Sequence, residues 1–437
     1  MEVASFFEEE RRKKDITDSA TTLVNSETLI AHKKYFQKFF PETLDSWEVK
    51  FVILRNMFST PQKQRIALSA YFLLSGICFS SWASRIPTLK TNYNLSEEDL
   101  GNLLMIMPAS AIIGIPLSGW LVAKFDSRIP MQISSIAFIL SLFSLSWGFS
   151  IIGIIISLVF FSIALRVINI SINTQSISIQ QKFEKKIVGS FHGIWSIGGI
   201  LGVLFSTIML NYDISIFWHF LYITIFGLII TILMFPFLIK NDKSKVGTKF
   251  KLGKPSRYIT LLGLIVFFAA ICEGGMYDWN GVYLKEIVKQ EVFTYGYLLL
   301  MICMTISRLS IDRLMEHFGM QKLYFAGSVL IISGVLLATI FPSLYPVLIG
   351  FGMIGFGVSG LYPMTFILAG KSKKYSIAIV MSIIGTYSTV GMFLGPPIIG
   401  YLAHAFGLQK AFIVFILSGF AFIPLSKMVF EHLKKTE

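Results

Sequence analysis

The run IIGIIISLVF (Ile151–Phe160) carries no charge, and its polar and apolar positions do not alternate. It lies in a longer apolar stretch at about 151–174. Eleven further stretches of this kind are read at about 66–85, 100–122, 130–149, 188–210, 216–239, 258–283, 294–311, 321–341, 344–369, 376–402 and 410–430. About 20 apolar residues suffice for a helix to cross a bilayer. Lipid offers no partner to a free backbone group, so a spanning segment must be a helix or part of a closed barrel. Barrel strands would alternate in polarity over about 10 residues. The expectation is therefore an all-α membrane protein, with twelve transmembrane helices in two six-helix halves. Only 14% of the 437 residues are charged, against about 25% in a soluble chain. That is too little to coat a water-facing surface, which excludes a soluble enzyme, a secreted domain and a disordered chain.

The net charge of +13 is explained by where the basic residues fall. With the N-terminus inside, the cytoplasmic loops hold Lys124 and Arg128; Lys182, Lys185 and Lys186; the segment from Lys240 to Arg257; Arg308, Arg313 and Lys322; and Lys371, Lys373 and Lys374. The C-terminal end adds Lys427, Lys434 and Lys435, and the opposite side has only Arg85, Lys90, Lys285, Lys289 and Lys410. Lys and Arg collect in cytoplasmic loops, so both termini are expected in the cytoplasm and no nucleic-acid partner is needed. The organisation expected is a cytoplasmic tail over 1–64, a six-helix half over 65–239, a basic linker over 240–257 and a second half with a short tail over 258–437. In the tail, Trp47, Phe51, Leu54 and Phe58 recur at helical spacing, which suits an interfacial helix. The first apolar span starts too late for a cleavable signal peptide. Cys78, Cys272 and Cys303 share no motif, and no His/Cys/Asp cluster has metal-ligand spacing, so neither disulfide nor metal is expected. Gly370-Lys371-Ser372 lacks the upstream glycine of a phosphate-binding loop, since Thr365 stands there. No cofactor is expected.

A six-plus-six layout with a basic central loop suggests an internally repeated transporter. The residues also resemble the major facilitator superfamily. Gly119-x-Leu121-x-x-Lys124-x-x-x-Arg128 is similar to that family's Gly-x-Leu-x-Asp-Arg-x-Gly-Arg loop, except that Ala123 stands for the acid and Asp126 for the second glycine. The second-half counterpart keeps Arg308, Asp312, Arg313 and Gly319, and span 11 carries the family's glycine–proline run as GMFLGPPIIGYLAHAFG (Gly391–Gly407). SWASRIPTLK (Ser81–Lys90), GSFHGIWSIGGILG (Gly189–Gly202) and EGGMYDWNGVYLKE (Glu273–Glu286) resemble a bacterial permease branch near the fucose permeases. The resemblance covers about residues 65–430. It implies the major facilitator fold, transport activity and residence in a cell membrane, with a bacterial inner membrane the expected one.

Ionisable residues inside a bilayer cost roughly 2.5–3.5 kcal/mol and mark functional sites. Arg166 lies deep in span 4, with Asn169 and Asn173 at i+3 and i+7 on the same face. A guanidinium and two amides suit a polar substrate; the alternative is a structural ion pair. Glu273 in span 7 lines up with Tyr277 and Asn280 and is the first choice for proton coupling, unless it pairs with Arg166 or Arg85. Asp278 is a second carboxylate for proton coupling, or a cap on a helix segment loosened by Gly274 and Gly275. His192 could exchange protons, although a lone histidine more often packs, as His219 is read to do. Arg85 and Trp82 at the outer end of span 1, with Trp279 and Asn280, complete the substrate-binding candidates; the alternatives are that Arg85 closes the outer mouth or snorkels to headgroups and that the tryptophans are ordinary interfacial residues. The gating candidates are Lys124, Arg128, Arg308, Asp312 and Arg313, with Arg308 and Asp312 at i, i+4 as a cytoplasmic clamp. The function expected is a secondary carrier of a small polar solute, monomeric, in contact with lipid and driven in one version by protons. It is not expected to be an enzyme. The alternative is a non-transporting receptor on the same fold.

Overall fold

Apolar runs without internal charge can close their backbone hydrogen bonds only as helices, and every regular element among the described residues is helical. The computed structural model describes residues 60–147, 150–184, 187–240, 256–370 and 377–436, apart from the side chains of 377–379, 381–382 and 435–436. The expected interfacial helix around Trp47 and Phe58, most of the basic linker, and Lys185, Lys186, Lys371, Lys373 and Lys374 lie outside the described residues. Span 1 is Thr60–Ser84, continued by Ile86–Asn92. Spans 2 to 6 are Glu97–Phe125, Arg128–Ser144, Ile151–Gln180, Val188–Asn211 and Ile216–Met234. Spans 7 to 9 are Arg257–Glu286, Thr294–Phe318 and Met320–Ile340; span 10 is Leu344–Ser359 followed by Leu361–Ala369. Span 11 is Ile377–Phe406, and span 12 is Leu408–Ala411 followed by Ile413–Thr436. Ten of these segments are long and apolar enough to cross a membrane, and Arg128–Ser144 is a shorter apolar helix. Thr294–Phe318 carries Arg308, Asp312, Arg313 and Glu316 in its later turns.

Breaks in the helices have local causes. Pro87 sits in the first turn of the short helix after span 1, and Arg85 between the two pieces has φ −106° and ψ 4°. The break turns Ile86–Asn92 towards span 7. Pro363 cannot donate to the carbonyl four residues back, and span 10 is interrupted at Gly360. Span 7, by contrast, runs unbroken through Gly274 and Gly275. Span 2 starts in a capping box, in which Ser96 accepts from the Asp99 N–H and Asp99 accepts from the Ser96 N–H.

Within the first half, spans 2 and 4 pack together, as do spans 3 and 4 and spans 3 and 6. The second half pairs spans 7 with 11 and 12, and span 10 with 8 and 9. Across the halves, span 2 packs on span 11 and span 5 on span 8, while Ile86–Asn92 meets span 7. A repeat shows in the loops as well. Asp126, between spans 2 and 3, has φ 64° and ψ −176°; Gly319, between spans 8 and 9, has φ 79° and ψ 151°. Both lie in a region almost reserved for glycine, which is the residue the family pattern places at the Asp126 position.

Candidate solute pathway between the halves

Glu273 stands in the middle of span 7 with a side chain only 12% exposed. Arg308 of span 8 donates from Nη2 to Glu273 Oε1 at 2.7 Å, and the Tyr277 hydroxyl donates to the same oxygen at 2.7 Å. Tyr277 lies one turn beyond Glu273, so helical periodicity brings both to one face. Its ring meets Phe79 of span 1 edge-on at 5.9 Å and Tyr297 of span 8 at 5.7 Å. Trp195 of span 5 meets the Phe79 ring at 6.2 Å, while His192 on the same helix is exposed and edge-on to Phe72. An ion pair, a phenol and aromatic rings thus converge from spans 1, 5, 7 and 8.

The carboxylate partner differs from those weighed in the sequence. Glu273 pairs with neither Arg166 nor Arg85, because span 8 packs beside span 7 and brings Arg308 within reach. Arg308 in turn points across to Glu273 rather than along its own helix. Asp312 is exposed and makes no ion pair with Arg308 among the described residues, and Arg313 is exposed too. Asp278 is half-buried and caps no helix end, since span 7 is continuous there.

Arg166 is half-buried on span 4 where that helix crosses span 2: a Cβ placed on Gly114 would lie 3.0 Å from the Arg166 Cβ. Asn169 and Asn173 are half-buried on the same helix, and Asn173 donates its amide to the Asn169 carbonyl at 2.7 Å. The other substrate candidates are packed away. Arg85 is 2% exposed and turned into the first half, where Nε donates to His219 Nδ1 and Nη2 to the Ile214 carbonyl, both at 3.1 Å. A histidine nitrogen that accepts from a guanidinium carries no proton, so His219 is neutral. Trp82 and Trp279 are fully buried, and Asn280 donates back to the Met276 carbonyl of its own helix. Arg128 bonds to the Phe235 carbonyl at 3.1 Å and stacks on the Phe235 ring, while Lys124 lies over Trp120; both contacts stay within the first half.

Sequence reasoning missed a second polar cluster. Lys90, on the short helix after span 1, bonds to Glu97 Oε1 at 3.1 Å and, more closely, to Glu286 Oε1 at the end of span 7. Lys285 donates to Thr91 Oγ1 at 2.6 Å. Tyr401 of span 11 donates to Asn102 of span 2 at 3.2 Å, and Thr207 of span 5 shares a 2.7 Å hydrogen bond with Thr294 of span 8. A Cβ at Gly400 would lie 2.7 Å from the Glu97 carbonyl and 2.9 Å from Gly101 Cα. The end of the bundle away from the basic loops is thus drawn together by bonds between the halves. The signal was in the sequence: Lys90 and Glu286 are opposite charges placed just after the first span of each half.

The family profile described as Major Facilitator Superfamily matches residues 4–196 and 68–373. The chain is 26% identical over 352 residues to an uncharacterized MFS-type transporter of Yersinia pestis, covering 80% of this chain and 91% of the relative. It is also 26% identical over 372 residues to the membrane protein MosC of Rhizobium meliloti, covering 84% and 90%. Among solved structures, the nucleoside transporter NupG aligns with TM-score 0.66 at 15% identity over 85% of this chain and 99% of that one. A bacterial homolog of the human lysosomal transporter Spinster, inward-facing and unoccupied, aligns with TM-score 0.68 at 12% identity over 85% and 98%. The fold, the paired loops and the profile agree: this chain is a membrane transporter of the major facilitator superfamily.

Proposed function

We propose that the protein carries a small polar solute by alternating access, with the solute bound centrally near Glu273, Arg308 and Arg166. The observation that carries this reading is the unequal contact between the halves. Bonds from one half to the other cluster around Lys90, Glu286, Asn102 and Thr207, while the ion pair and aromatic rings lie deeper between the same helices. An arrangement closed at one end with polar groups at its centre suits a solute that enters from the other. With the basic loops in the cytoplasm of a bacterial cell, the open side is the inner one. The branch near the fucose permeases and the gating roles of Lys124, Arg128, Asp312 and Arg313 belong to this same reading.

Proton coupling belongs to the same reading, with the Glu273–Arg308 pair as its place. Protonating Glu273 removes its charge and frees Arg308, so a proton and the guanidinium compete for one oxygen. Purified protein in liposomes tests the proposal, with uptake of labelled sugars, polyols, nucleosides and carboxylates measured with and without a pH gradient. Uptake of one class, raised by the gradient and insensitive to it in Glu273→Gln, is the expected result. Binding without movement of any of them would make the protein a receptor.

A further inference from the structure

We propose that the solute is an anion, a small molecule bearing a carboxylate or phosphate group, and that Arg166 receives that group. This rests on the carrier reading above. Arg166 and Arg308 lie within spans 4 and 8 and Arg85 is buried at the break in span 1; two of the three are engaged. Arg85 donates to His219 and Ile214, and Arg308 donates to Glu273. Arg166 has no hydrogen bond or ion pair among the described residues. A guanidinium turned to lipid in mid-membrane is expensive, and Arg166 is half-buried, so its charged end belongs to the aqueous path that the carrier reading requires.

The surroundings suit an oxyanion. Gly114 leaves room for the Arg166 stem, since a Cβ there would lie 3.0 Å from its Cβ and 3.2 Å from its Cγ. Asn173 spends its amide on the Asn169 carbonyl, and the Asn169 side chain has no hydrogen bond among the described residues, so its amide can donate beside Arg166. A planar guanidinium offers two parallel donors to two oxygens, the geometry that carboxylate and phosphate share. The carboxylate of Glu273 does not compete, because Arg308 and Tyr277 already hold it.

The test works whichever anion is carried. Cys78, Cys272 and Cys303 are replaced by alanine and Asn169→Cys is introduced in the full chain, reconstituted in liposomes. Labelling rates are compared for 2-sulfonatoethyl methanethiosulfonate, an anion, and 2-(trimethylammonio)ethyl methanethiosulfonate, a cation. One helical turn from an unpaired cation, the anion-to-cation rate ratio should exceed that of an exposed control thiol by roughly tenfold. Arg166→Gln should abolish the preference, and Arg166→Lys, which keeps the charge, should retain most of it. A ratio equal to the control in the Arg166 protein overturns the proposal. So does a preference that survives Arg166→Gln, or liposome uptake confined to uncharged solutes. If neither reagent reacts from either side, the aqueous cleft itself is absent and the carrier reading falls with it. Labelling with the charge preference but no uptake of any solute counts against the carrier alone.

Discussion

At Gly319 an added Cβ would meet nothing within 4 Å, so any cost of Gly319→Ala must come from the backbone at φ 79°. That substitution should lower stability by about 1–3 kcal/mol, read as a fall in the thermal midpoint of the detergent-solubilised protein. Asp126 already bears a comparable strain, offset in part because its Oδ1 accepts from the Arg128 N–H at 2.8 Å. Asp126→Gly should therefore leave the midpoint unchanged or raise it. For the central pair, the shared interaction of Glu273 and Arg308 should appear as a coupling of about 1–3 kcal/mol in a double-mutant cycle of Glu273→Gln and Arg308→Gln. Additive single effects would mean that the pair contributes nothing. Glu273 and Arg166 stood out in the sequence because a charge inside an apolar run has few explanations. The partner of Glu273 did not, because Arg308 is 35 residues away and only helix packing joins them. Spacing along one helix pointed instead to Asp312, the neighbour that periodicity can see. The burial of Arg85 was hidden for the same reason: a residue near a helix end can face water or turn inward, and the bond to His219 turns Arg85 inward.

At the scale of helices, each of the twelve apolar stretches read from hydropathy coincides with helix among the described residues, and ten of these segments are long and apolar enough to cross a bilayer. Hydropathy did not show what each glycine touches. Gly198 and Gly400 look alike in sequence yet sit in different kinds of contact. A Cβ on Gly198 would collide with the Leu73 carbonyl oxygen, inside the first half, where the bare backbone lets span 5 lie directly against span 1. Gly198→Ala should cost about 1–3 kcal/mol of stability and reduce folded yield. A Cβ on Gly400 would press on Glu97 and Gly101 across the join between the halves. That contact can separate without unfolding either half. Gly400→Ala should leave the thermal midpoint nearly unchanged, while making a cysteine at Asn102 more reactive to an impermeant thiol reagent. A large fall in the midpoint with no gain in reactivity would mean that spans 2 and 11 do not part there.

Across the whole molecule, Lys90 links helix ends from both halves through two unlike bonds. Its contact with Glu97 lies within the first half, whereas its contact with Glu286 joins the two halves. Only the second can resist separation, so the two acids should behave differently although both touch one amine. Spin labels at Tyr212 and Tyr345, exposed residues at that end in opposite halves, report the distance across the join. Glu286→Gln should shift the distance distribution to longer values by several ångströms, and Lys90→Gln should do the same. Glu97→Gln should not, because it leaves the bond between the halves in place. High salt should weaken the tie only in part, since the Lys90 side chain is 9% exposed and that of Glu286 32%, and buried charges are screened less than exposed ones. If Glu97→Gln and Glu286→Gln widen the distance equally, Lys90 acts through its charge on the whole mouth of the bundle and not as a tie between the halves.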